Sequence, residues 1–262
     1  MSGRVEGRSI LLTGGGSGMG RVIAIACAKE GASLTLVDMN LQSAQATRDE
    51  IIAAGGKAIA VSGNVTKRLD VAAAVAAAVE NFGKLDVLFN IAGIINPSHF
   101  LDTTEENFRN TIEVNALGTL ICQQEAAKQM IDQGHGGKLV LVSSIAGRQG
   151  YPDFAAYCAS KFAVNALNQS AAHALSEHGI TSNAFAPGVV DTPLWKKLDL
   201  DLVDIGSAAK PGEAFAAFSG ANLVGRTGVA DDVIGTALFL ASSDSDYMTG
   251  QIMMIDGGMV LV

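Results

Sequence analysis

The chain has 262 residues, 48% of them hydrophobic and 17% charged, which supplies a large buried core and rules out a disordered chain. The formal charge is −8 and no basic cluster occurs, so neither nucleic acid nor an anionic membrane is an expected partner. Cys27, Cys122 and Cys158 are odd in number, far apart and free of any C-x-x-C spacing; they read as free thiols in a reducing cytosol, not as a disulfide framework.

In chain order, residues 1–8 are polar and lack the apolar core of a signal peptide, and no apolar run reaches the length of a membrane span. The expectation is a cytoplasmic protein. Residues 9–12 form a short apolar strand, followed by the turn Gly14-x-x-x-Gly18-x-Gly20 and a helix over about 19–30 that Gly31 ends. A strand is expected over 33–37, a helix over 41–54, a strand over 57–62 and an Ala-rich helix over 67–82. Val71, Val75 and Val79 recur every four positions in that helix, which fits packing on a sheet. A strand over 85–89 precedes a long helical region over about 105–133. Then come a strand over 138–142, a helix over 154–177 and a strand over 181–186. Residues 193–225 read as irregular, before a last helix over 229–242 and a strand over 251–255. Repeated βα units with no linker predict a single α/β domain over 1–262, a Rossmann-type doubly wound parallel sheet with helices on both faces. Ligands of such sheets sit beyond the carboxyl ends of the strands.

The residues at those ends carry the chemistry. Glycines let a chain turn tightly and let a ligand approach its backbone, and the first helical turn then offers unpaired N–H groups to an anion. A dinucleotide pyrophosphate is the usual occupant of such a turn. The second strand ends in Asp38, 24 positions after Gly14, where a carboxylate accepts hydrogen bonds from ribose hydroxyls and repels a 2′-phosphate. No Arg or Lys lies near it, so NAD is expected over NADP. Tyr157 and Lys161 are four apart on one helix face, and an ammonium near a phenol favours phenolate. Ser143 and Ser144 end the preceding strand, where a hydroxyl can hold a substrate oxygen. His99, His135, His173 and His178 show no ligand spacing, so no metal is expected.

Taken together, Thr13-Gly14-x-x-x-Gly18-x-Gly20, Asp38, Asn90-x-Ala92-Gly93, Asn115, Ser144, Tyr157-x-x-x-Lys161, Pro187-Gly188 and Thr192 resemble the short-chain dehydrogenase/reductase family, in family order and over nearly the whole chain. The resemblance implies Tyr157 as general acid/base and Lys161 as the residue that lowers its pKa and holds the nicotinamide ribose. It implies Ser144 as the holder of the reacting oxygen and Asn115 as the holder of a relay water. It places Asn90, Ala92 and Gly93 on the adenosine side, and Pro187, Gly188 and Thr192 near the nicotinamide. Ser17, Met19, Met39, Asn64, Val65 and Val190 complete the expected cofactor contacts. Two positions depart from the family pattern: Asn64 replaces an Asp, and Ile91 replaces the second Asn of N-N-A-G.

The implied reaction is hydride transfer between NAD(H) and a secondary alcohol or ketone, in a homo-oligomer that the resemblance makes a tetramer. The segment 193–225 would be a mobile substrate lid. The nearest branch in look is the acetoin/butanediol and polyol dehydrogenases, yet Ile145 stands where that branch often has an amide. Ile94, Ile95, Tyr151, Val190, Leu194 and Trp195 are the expected pocket walls beside Ser144, Ile145 and Tyr157. These apolar walls point to a less polar substrate than a polyol. A 3-oxoacyl-carrier reductase and a non-catalytic NAD-binding sensor remain as alternatives.

Overall fold

Seven parallel strands make one sheet, in the order β3-β2-β1-β4-β5-β6-β9. They are β1 (Ser9–Thr13), β2 (Ser33–Asp38), β3 (Lys57–Ser62), β4 (Val87–Asn90), β5 (Gly137–Val142), β6 (Ile180–Pro187) and β9 (Ile252–Ile255). Two further short strands, β7 (Val190–Asp191) and β8 (Gly228–Val229), pair as a separate ribbon that the sequence pattern did not reveal. The helices are α1 (Gly18–Lys29), α2 (Leu41–Ala53), α3 (Arg68–Phe82), α4 (Glu105–Ile112), α5 (Gly118–Gln133), α6 (Ala155–Leu175), α7 (Pro193–Asp204), α8 (Glu213–Ser219) and α9 (Ile234–Ala241). This computed structural model describes residues 3–261; Met1, Ser2 and Val262 of the expected domain lie outside the described residues.

Alternation along the strands builds a core on each face. Ile10 and Leu12 of β1 pack with α1, α2 and α9, while Leu11 faces α3 and α5. Residues buried on both faces explain why the central strands are apolar almost throughout. Strand order reverses between β1 and β4, and their last residues, Thr13 and Asn90, sit side by side. A crevice opens at such a switch point. Gly31 follows α1 with a φ of 88° and donates its N–H to Ala28, as its place in the sequence predicted.

One expectation is refined and one corrected. The region over 105–133 is helical throughout, as expected, but a π-type turn at Glu113–Leu117 separates α4 from α5. Asn115 lies in that turn, and its side chain binds Ile94, which pulls the backbone out of regular α geometry. The stretch 193–225 is not irregular, because it contains α7 and α8. Thr192 caps α7 and Pro193 occupies its first turn, a start signal outweighed in the sequence by Pro211 and the nearby glycines. Leu198 and Leu202 then recur on the buried face.

The turn after β1 is tight enough to test. A Cβ on Gly20 would drive into the Gly14 carbonyl oxygen. Gly20→Ala is expected to cost about 1–3 kcal/mol, read as a lower urea midpoint at unchanged slope.

Candidate active site

Thr13 ties the end of β1 to the loop after β4. Its hydroxyl accepts from the N–H of Ile91 at 3.1 Å and of Ala92 at 3.2 Å, and donates to Asn90 Oδ1 at 3.1 Å. Asn90 is therefore a buried brace, with an Nδ2 that has no partner among the described residues. Gly14 adopts a φ of 72°, and a Cβ there would come within 3.2 Å of the Ala92 backbone. Ser17 is the N-cap of α1, yet its side chain caps nothing, so the first-turn N–H groups stay available beside Gly18 and Gly20.

Asp38 lies against this turn. Its Oδ2 accepts from the Gly16 N–H at 3.0 Å and its Oδ1 from the Asn40 N–H at 2.9 Å. Met39 beside it is 72% exposed. Gly63 donates its N–H to the Asp38 carbonyl, which keeps the Asn64–Val65 loop alongside. Asn64 Oδ1 is occupied by the N–H and hydroxyl of Thr66, and Val65 is buried.

Asn115 is buried and doubly bonded to one backbone unit. Its Oδ1 accepts from the Ile94 N–H and its Nδ2 donates to the Ile94 carbonyl, both at 2.8 Å; Nδ2 also reaches Ser160 Oγ at 3.0 Å. Its main-chain carbonyl accepts from the Thr119 hydroxyl at 2.7 Å. The side chain thus fixes the loop that carries Gly93 and Ile94. Ser143 and Ser144 diverge at the end of β5. Ser143 donates to Asn165 Oδ1 at 2.6 Å, whereas Ser144 faces Tyr157 and accepts from the Ala146 N–H at 3.1 Å.

Tyr157 and Lys161 come from the start of α6, one turn apart. The Lys161 ammonium lies 5.6 Å from the Tyr157 ring centroid and donates to the Val142 carbonyl at 2.8 Å. No carboxylate pairs with it among the described residues. Burial therefore depresses the Lys161 pKa to about 8. Burial likewise pushes the Tyr157 phenol up to about 12, opposed by the Ser144 side chain. A buried cation without an anion, next to a buried phenol in a cleft, marks a functional site.

Two cavities meet at Ser144 and Tyr157. One is a slot lined by Met19, Gly93, Ile94, Lys161, Pro187, Val190 and Thr192. The other is lined by Ile95, Ile145, Tyr151, Phe154, Leu198 and Phe218; Gly188, Leu194 and Trp195 border both. The expected substrate residues Ile145, Tyr151, Leu194 and Trp195 are brought together here. Ile94 and Val190 are not pocket walls of this second cavity but belong to the slot, because Asn115 holds the Ile94 backbone turned that way. Thr192 Oγ1 accepts from the Trp195 N–H at 3.5 Å as the α7 cap, at the slot's edge. Phe154, Val189, Leu198 and Phe218 were missed; Leu198, four after Leu194, carried a helical signal, and Phe218 carried none.

Asp199, buried on α7, holds α8 in place. Its Oδ1 accepts from the Phe215 N–H at 3.0 Å and its Oδ2 from the Gly212 N–H. No helix among the described residues is long and apolar enough to cross a membrane.

The chain is similar to known proteins over nearly its whole length. The short chain dehydrogenase family model matches residues 8–202. Sorbitol dehydrogenase of Cereibacter sphaeroides is 38% identical over 97% of this chain and 98% of its own. L-2,3-butanediol dehydrogenase of Corynebacterium glutamicum is 40% identical over 95% and 97%. The crystal structure of levodione reductase superposes with a TM-score of 0.91 at 31% identity, covering 97% of this chain and 98% of that one. With its glycine turn at the switch point and Tyr157 and Lys161 beside Ser144, the chain belongs to the short-chain dehydrogenase family and is an oxidoreductase acting on secondary alcohols and ketones.

Proposed function

We propose that the protein interconverts a secondary alcohol and its ketone with NAD(H), using Tyr157 as acid/base, Ser144 to hold the reacting oxygen and Lys161 to tune the pair. The observation that carries this reading is the meeting of the two cavities at the hydroxyls of Ser144 and Tyr157. NAD fits the residues present. A Cβ on Gly16 would lie 2.9 Å from Asp38 Oδ2, so no side chain stands between the glycine turn and that carboxylate. The first-turn N–H groups of α1 suit the pyrophosphate and Asp38 the ribose hydroxyls. Met19, Gly93, Ile94, Pro187, Val190 and Thr192 would hold the nicotinamide end, with Lys161 at its ribose. Met39, Asn64 and Val65 would flank the adenine, and Ala92 the adenosine.

When bound, NAD supplies the acceptor for the hydride that the carbinol carbon releases as its C–O bond becomes a carbonyl. The protein supplies the rest. The Tyr157 oxygen takes the hydroxyl proton during oxidation and returns one to the carbonyl oxygen during reduction. Ser144 donates to that oxygen and fixes its position. Lys161 stabilises the phenolate by its charge. Asn115 acts through Ile94 and Ser160, keeping the slot wall and α6 in register, and a relay water would sit beside it. The segment with α7 and α8 closes over the second cavity as a lid. The likeness to sorbitol and butanediol dehydrogenases supports alcohol and ketone chemistry at this site. Three unpaired cysteines support a cytoplasmic setting. The apolar groove between α5 and α6, lined by Leu120, Ala127, Leu167 and Ala171, supports a homo-oligomer, a tetramer by the family resemblance, which light scattering tests.

Oxidation needs the Tyr157 phenolate and reduction needs the phenol. With Lys161 and Ser144 already in place, burial still holds the phenol up to about 12, so the positive charge of the oxidised nicotinamide is what would bring its pKa down. Oxidation kcat/KM is expected to rise with pH to a plateau, and reduction kcat/KM to fall only above a higher pKa, because the reduced nicotinamide carries no positive charge. Tyr157→Phe is expected to lower kcat by about 100-fold or more, and unchanged turnover would refute the assignment. Initial rates with NAD and NADP are expected to favour NAD by about 100-fold, and Asp38→Ser to cut that ratio at least about tenfold.

A further inference from the structure

The second cavity has a composition that hydride transfer itself does not require. Among the described residues its lining includes no carboxylate, no carboxamide and no cation. Ser144 and Tyr157 serve the one reacting oxygen. Beyond them the walls are hydrocarbon and aromatic. Phe218 is their hub, with ring centroids 6.1 Å from Phe154, 6.3 Å from Tyr151 and 5.7 Å from Trp195. Among the described residues the Tyr151 hydroxyl, close to the Gln149 side chain, is the one further hydroxyl on these walls. On the catalytic side Ile145 follows Ser144 directly, and its buried side chain offers no hydrogen bond. A polyol bound here would bury several hydroxyls without partners, which is unfavourable for each. An aryl or alicyclic ring would pack against these faces and edges and leave nothing unpaired.

We propose that the site takes a secondary alcohol or ketone bearing one bulky apolar substituent, aryl or alicyclic, and that Phe218 and Ile145 select it. The proposal rests on the hydride-transfer reading above. It adds the class of substrate and the residues that discriminate.

The test compares cyclohexanol and α-phenylethanol with vicinal butanediol and sorbitol, using the wild-type protein and NAD. The ring alcohols are expected to exceed sorbitol by about 100-fold or more in kcat/KM, since a single added hydroxyl in an apolar pocket is rejected by about that factor. Turnover of sorbitol or butanediol equal to that of the ring alcohols would overturn the proposal while leaving the hydride-transfer reading intact. Phe218→Ala is expected to raise KM for the ring alcohols about tenfold with kcat little changed, the pattern of lost uniform binding. Ile145→Gln is expected to narrow the ring-to-sorbitol ratio about tenfold; an unmoved KM and ratio in two folded variants would remove both residues from the selection. Trp195 is the sole tryptophan of the chain and borders the cavity, so its emission reports entry without turnover. If no alcohol in the panel is oxidised with NAD or NADP, the hydride-transfer reading fails. The titration then decides the pocket alone. A saturable emission change with cyclohexanol but not with sorbitol supports an apolar ligand, and the reverse, or no change with either, overturns it.

Discussion

The Lys161 ammonium is buried with a carbonyl oxygen for a partner and no carboxylate among the described residues. That arrangement is unfavourable in itself, because a buried charge is stabilised best by an opposite one. It persists because the sheet and α6 over-determine it. Val142 ends β5, Lys161 lies in the second turn of α6, and both are packed. In the proposed reaction a carboxylate beside Lys161 would neutralise the charge that the Tyr157 phenolate calls on. The site therefore keeps a cation poised near its own deprotonation, close to a phenol that burial holds protonated. In the proposed reaction, phenolate would become accessible when further positive charge arrives, which would couple proton transfer to occupation of the slot.

Placement of that pair depends on the switch in strand order. Because β1 and β4 are neighbours whose crossovers leave on opposite sides, their carboxyl ends leave a crevice. Thr13 closes its floor by holding Asn90, Ile91 and Ala92. Asn115 then grips the next residues through Ile94. One hydroxyl and one amide thus set the path of the loop that separates the two cavities.

Much of this was legible in the sequence because it is locally encoded. The glycine turn, the βα alternation and the Tyr157–Lys161 spacing each depend on a few neighbouring residues. The misread elements depend on distant contacts. The π-type turn at Glu113–Leu117 exists because Asn115 reaches a backbone unit 21 residues away. The same contact decides that Ile94 faces the slot while Ile95 faces the other cavity, a choice that two adjacent isoleucines do not reveal. The helix after Thr192 announced itself through its cap and Pro193, but Phe218 joins the cavity only because α8 folds back on α7.

That fold-back has a mechanical consequence. Asp199 stands on α7 yet accepts from N–H groups at the start of α8, so the two helices move as one body. Phe218 near the end of α8 and Trp195 at the start of α7 lie against each other, with 5.7 Å between ring centroids, and both border the cavity, while Thr192 caps α7 at the edge of the slot. A ligand that displaces Phe218 must therefore also pull on the strand-to-helix joint at Thr192. The size of what enters one cavity would in this way bear, as load on a lever, on the walls of the other.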